Sequence, residues 1–190
     1  MLRTLRQLER ADGAEIAEAA LVLPLVFMFL LGIVWFGRAF QIYSTITQAA
    51  QQGAVVAARA SCATCGNTFP PDGTVTACDS SPTPGSVAYT VGTIMCAASI
   101  DPTQIPTHSN PPSPVPCLSP PNPPGGACTV ASNITICRNV ELNPHILSAG
   151  PGQCGTIVSF QYPFQFNFPF TSLNLQRIVL TANARSRMEN

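Results

Sequence analysis

Residues 19 to 36 read AALVLPLVFMFLLGIVWF, an uncharged apolar run that begins directly after Glu18. At about 1.5 Å of rise per residue, such a run crosses the roughly 30 Å hydrocarbon layer of a bilayer as one helix. A secretory signal peptide has a shorter apolar core, about 7 to 15 residues, and ends at a small-residue cleavage site. Here Gly37-Arg38-Ala39-Phe40 follows instead, so any cut is expected ahead of the run. Arg3, Arg6 and Arg10 precede it and Arg38 follows. That arginine bias predicts a cytoplasmic N-terminus, with everything beyond about residue 40 exported. A carboxylate at the edge of a membrane span is costly and usually has a partner and a task. Glu18 is therefore a candidate functional residue.

The cysteines point the same way. All eight, Cys62, Cys65, Cys78, Cys96, Cys117, Cys128, Cys137 and Cys154, lie in the exported part, where thiols can be oxidised. They are disulfide candidates whose pairing the spacing leaves open. Charged residues make up only 9%, the formal net charge is zero and lysine is absent. Nucleic-acid binders need a basic patch to neutralise phosphates, so that class is excluded. No enzyme is expected either. His108 lies in a proline-rich segment and His145 follows Pro144, neither with an acid or nucleophile at a spacing that suggests an assembled site. Cys62-Ala63-Thr64-Cys65 has the spacing of a redox dithiol, but no strand precedes it and six other cysteines are available, so a structural disulfide is the simpler reading. It lacks the histidine of a haem attachment site and a second pair for zinc, and no cofactor or metal is expected. Asn133-Ile134-Thr135 fits the glycosylation pattern, but so short a match carries little weight.

Beyond the apolar run the helix is expected to continue to about residue 60. Phe36, Phe40, Tyr43, Thr47, Ala50, Ala54 and Ala57 recur at spacings of three and four, which marks one face. Ordinary packing within the chain accounts for that face, and a neighbouring helix is the alternative. Pro24 is expected to kink the span. Residues 61 to 85 read as loop, with Pro70-Pro71-Asp72-Gly73 as a turn signal. Val87, Val91, Ile94, Met95 and Ala98 predict a short helix over 86 to 99. The segment 102 to 124 holds ten prolines in 23 residues, which excludes a helix or interior strand. It reads as a surface loop held by Cys117 and Cys128, or as a flexible insertion.

The last third predicts sheet. Thr129 to Val140 alternates loosely, and from Val158 to Phe170 every even position is apolar. Pro163 and Pro169 demote the outer half of that stretch to an edge or extended arm. A closing strand through Ile178, Leu180 and Ala182 completes a small antiparallel sheet. The aromatic row is expected to be core. The fold class is thus α+β, with a long N-terminal transmembrane helix packed, beyond the bilayer, on an antiparallel sheet with disulfide-bonded and proline-rich loops. Three parts are expected: a leader over 1–13, the transmembrane and extended helix over 14–60, and a disulfide-rich domain over 61–190.

One resemblance sharpens this. Gly13-Ala14-Glu15-Ile16-Ala17-Glu18-Ala19-Ala20-Leu21-Val22-Leu23-Pro24-Leu25, followed by Leu31 to Phe40, resembles the N-terminal signature of TadE-like pseudopilins. These are minor pilin-like proteins of the tight-adherence (Flp, type IVc) pilus machinery. Val179 to Arg185 with Glu189 is more weakly similar to the way such chains end. The resemblance implies that a prepilin peptidase cuts after Gly13, leaving Ala14 as the new N-terminus and Glu18 near it in the membrane. It also implies that Glu18 pairs with the Ala14 amine of a neighbouring subunit, because a charge in lipid is tolerated mainly when paired. The expected partners are the peptidase, other pseudopilins or pilus-assembly proteins, and the bilayer. The expected location is the bacterial inner membrane, with the C-terminal part periplasmic or carried into an extracellular pilus. The alternative is an uncleaved signal anchor bearing a monomeric envelope domain that binds a surface ligand.

Overall fold

The computed structural model describes residues 2–59, 72–73, 78, 85–107, 127–143, 153–165 and 177–187, with side chains from Ile16 onward. Helix α1 spans Leu2–Ala58, one proline, Pro24, lying inside it. The chain divides into two compact units, Met1–Gln41 and Ile42–Asn190. The first is helix alone.

The second unit combines the last turns of α1 with helix α2, Val87–Ala97, and a four-stranded sheet. The strands are β1 Ala127–Ala131, β2 Ile134–Glu141, β3 Cys154–Phe164 and β4 Ile178–Arg187, all antiparallel in the order β1-β2-β3-β4. The expected α+β class, second helix and closing strand are all present.

Local chemistry sets the ends of α2. Ser86 caps its start: the extended serine accepts a hydrogen bond through Oγ from the Tyr89 amide at 3.1 Å. At the other end the Ile100 amide donates to the Met95 carbonyl and Ser99 sits at φ 57°, a left-handed stop of the kind glycine usually supplies. The Asp72 carbonyl accepts from the Ala88 amide, and the Asp72 carboxylate pairs with Arg138 of β2, so the predicted turn is tied both to α2 and to the sheet. Gly73 follows at φ 70°, where a Cβ would run into the Ser86 side chain.

The β1–β2 connection is a two-residue loop with Ser132 at φ 47° and Asn133 at φ 67°. Positive φ at both positions is the turn that matches the twist of paired strands. The Asn133 amide also donates to the Ile105 carbonyl at 2.7 Å, so the residue that fits a glycosylation pattern is engaged inside the fold. Between Cys137 and Val140 the β2–β3 register shifts, with Asn139 at φ 55°. This bulge is why the alternation along β2 reads as loose: it returns Val140 to the face of Cys137.

One face of the sheet carries the main core. Ile134 and Ile136 of β2, Val158, Phe160 and Tyr162 of β3, and Ala182 and Ala184 of β4 meet Val87, Val91 and Met95 of α2 and Ile46, Ala49, Ala50, Ala54 and Ala57 of α1. The alanines permit close approach. At Gly53 it is closer still, since a Cβ there would stand 2.9 Å from Val91 Cγ2. The opposite face holds a small cluster of Cys137, Val140 and Ile157, with Cys128 and Leu142 against it.

Two sequence expectations need correction. The proline-rich segment is not wholly loop: Pro102–Gln104 forms a 3-10 turn with Pro102 buried, since proline at the first helical position gives up no bonded amide. Asp101 caps that turn, accepting from the hydroxyl and amide of Thr103. The hydroxyl first, then the amide, holds its carboxyl below the ordinary value. A lowered pKa stabilises the turn above the carboxyl's unfolded value and is lost as pH falls through the folded one. The edge expected at Pro163 is present: it lies in the outer part of β3, paired with Val179 of β4 alone. The β2 register ends at Thr135 and Ser159, so Pro163 has a sheet neighbour on one side only and its missing amide breaks no ladder there. Second, the helical face of small and aromatic residues is not uniformly core: Ala50, Ala54 and Ala57 are buried, whereas Phe36, Phe40 and Tyr43 are exposed. In the aromatic row, Phe160, Tyr162 and Phe164 are buried. Phe166, Phe168, Phe170 and Pro169 lie outside the described residues.

The sheet offers a direct stability test. A Cβ at Gly155 would overlap both the Ser186 carbonyl oxygen of β4 and the Leu142 side chain. A backbone atom cannot rotate away, so Gly155→Ala is expected to cost about 1–3 kcal/mol. Thermal unfolding of the full chain in detergent, followed by near-ultraviolet circular dichroism, should show a lowered midpoint. An unchanged midpoint would refute the close approach.

Candidate functional site

The residues with the strongest functional signal lie along α1. Gly13 and Ala14 fall within the helix backbone, one turn ahead of Glu18. Glu18 is exposed and, among the described residues, has no hydrogen-bond or ion-pair partner. From Leu21 to Leu30 large apolar side chains are exposed at nearly every position, and Ile33, Val34 and Phe36 continue them. Their succession covers every side of the helix rather than one stripe. A helix apolar all round belongs in a core or in a membrane, and these side chains are not in the protein's core. Charge brackets the stretch: none occurs from Ala19 to Gly37, between Glu18 and Arg38. By length and composition this helix can cross a membrane. Pro24 leaves the helix unbroken, which membrane helices tolerate.

The described cysteines form disulfide staples. Cys78 bonds Cys96 of α2, with Cα atoms 5.5 Å apart. Cys128 bonds Cys137 across the β1–β2 pair at 4.0 Å, at directly opposed positions. Cys128 therefore does not hold the proline-rich loop through Cys117, because its sulfur is used within the hairpin. Cys154 is also disulfide-bonded, and none of the described cysteines is free. Cys62, Cys65 and Cys117, and with them the Cys-x-x-Cys pair, lie outside the described residues, as do His108 and His145. Among the described residues no three metal-ligating side chains cluster.

Spacing alone did not reveal the pairings, because both depend on which elements lie side by side. The 128–137 bond had one legible cue. The Ser132-Asn133 loop sits midway between the two cysteines, and a two-residue hairpin loop there places them opposite each other. Oxidation of all eight cysteines is expected. Maleimide labelling of the purified, denatured protein should find few or no thiols, and four or more would contradict it. Loss of the 128–137 bond should cost about 2–3 kcal/mol through loop closure.

These features define a class: an apolar N-terminal helix, long enough to span a bilayer, continuous with a small disulfide-stapled α+β domain. The family model of TadE-like proteins matches residues 13–55, so this segment of α1, from Gly13 into the domain core, is TadE-like. No curated protein and no solved structure matches the chain.

Proposed function

We propose that this chain is a minor pseudopilin that contributes to assembly of a tight-adherence (Flp, type IVc) pilus or a related secretion apparatus. The observation that carries the reading is the TadE-like match, which begins at the glycine where processing is expected and runs through the apolar span. Prepilin peptidase cuts after Gly13 on the cytoplasmic side, and the basic leader with Arg3, Arg6 and Arg10 stays there. The stapled domain then lies in the periplasm, where its disulfides can form. Action is by helix packing rather than catalysis. The new Ala14 amine and the Glu18 carboxylate of adjacent subunits neutralise each other in lipid and set the axial register. Other pseudopilins or pilus-assembly proteins are the partners.

Mass spectrometry of the mature chain from its host tests this directly. With the peptidase present, the chain should begin at Ala14 and lack the mass of residues 1–13; without it, the leader should remain. An unprocessed chain in both hosts would favour a monomeric envelope domain on an uncleaved anchor. A mature N-terminus after Trp35 would make the apolar run a discarded signal and refute the proposal.

A further inference from the structure

The charge-free stretch of α1 ends at Gly37, but its exposed apolar surface does not. Phe36 and Phe40 are each 72% exposed and Tyr43 is 47% exposed. Spacings of four and three place all three on one side of the helix. Farther along the same side Thr47 is half-buried and Ala50 fully buried in the domain core. The row of rings thus runs from the last residue of the apolar span to Tyr43, next to Ile42, where α1 begins to pack on the core. Trp35 precedes it and Arg38 lies within it.

We propose that Trp35, Phe36, Phe40 and Tyr43 form an interfacial belt that seats the anchor in the phospholipid headgroup layer, with Tyr43 on its aqueous side. Trp and Tyr, whose rings join an apolar body to a polar tip, concentrate at that boundary, and here Phe36 and Phe40 continue the apolar surface between Trp35 and Tyr43. The dimensions agree. With Phe36 at the hydrocarbon edge, Tyr43 lies about 10 Å farther along the axis and Glu18 about 27 Å the other way. A hydrocarbon layer of roughly 30 Å, with headgroups adding about 5–7 Å on each side, puts Phe40, about 6 Å out, inside the headgroup layer, Tyr43 just beyond it on the aqueous side and Glu18 about 3 Å inside the opposite hydrocarbon edge. Arg38 reaches the lipid phosphates by extending its stem along the helix. Lipid is the occupant because the row continues the apolar span without a break and the one charge inside it is cationic. The proposal rests on α1 spanning the membrane but not on pilus assembly.

Trp35 is the only tryptophan, so the full chain in phosphatidylcholine–phosphatidylglycerol liposomes carries its own depth probe. Two further probes, Phe40→Trp and Tyr43→Trp, are made in a Trp35→Phe background, exchanging ring for ring. Trp35 fluorescence should be lost most to a nitroxide high on the acyl chain. Position 40 should respond most to a headgroup nitroxide, and position 43 to both that nitroxide and aqueous iodide. Position 40 quenched by iodide alone, or most by a nitroxide at mid-chain, would overturn the belt. Protection of position 40 from every quencher, growing with protein concentration, would overturn it in favour of a second copy. A chain that fails to float with the liposomes would refute the span and the belt together.

Discussion

Gly13→Val is expected to abolish processing while leaving the protein in the membrane. Glycine presents no Cβ to a protease, and valine adds a branched side chain at the bond to be cut. The apolar run from Ala19 to Phe36 is untouched, so insertion should be unchanged. The variant should keep the mass of residues 1–13 in a peptidase-positive host, where the wild type loses it. A variant trimmed at the wild-type bond would mean that Gly13 is not what the peptidase reads.

The second large effect is expected at Glu18. Removing a carboxylate from the edge of a span makes insertion easier, so any defect in Glu18→Ala must arise after insertion. If the carboxylate neutralises a neighbour's α-amino group in lipid, its loss strands that charge at a cost of about 3–5 kcal/mol, enough to lower incorporation on the order of a hundredfold or more. Electron microscopy of surface filaments, at matched levels of protein in the membrane fraction, gives the measure. Normal pilus numbers would eliminate the pairing role, even with processing at Gly13 intact.

What could be read from residues alone followed the physics of repetition. The apolar run, the spacing of Val87, Val91 and Met95, and the alternation through Val158, Phe160 and Tyr162 each repeat over several turns or pleats, and each became the expected element. Single-residue departures were not legible. Ser99, Ser132, Asn133 and Asn139 all adopt positive φ without being glycine, and they set a helix end, a hairpin and a bulge. Pro163 was legible as an edge position, and the β2 register does stop short of it. The candidate processing and assembly residues needed the whole pattern around them, since a glycine followed by a carboxylate is common by chance. The Cys78–Cys96 pairing depends on tertiary neighbours that local spacing does not encode, whereas the 128–137 pairing had its cue in the hairpin between them.

Helix α1 cannot be removed whole without cutting into the domain. Ile46, Ala49, Ala50, Ala54 and Ala57 belong to α1, yet all are buried in the core shared with α2 and the sheet. Loss of a single residue like Ile46 from such a core costs about 2–5 kcal/mol. A soluble fragment started at Ser61, where the composition turns to loop, would expose the whole strip that these residues cover. The workable boundary for a crystallisable or immunising fragment is ahead of Ile42, where the second compact unit begins. The same helix that is long and apolar enough to cross a membrane is thus a structural part of the domain that follows it.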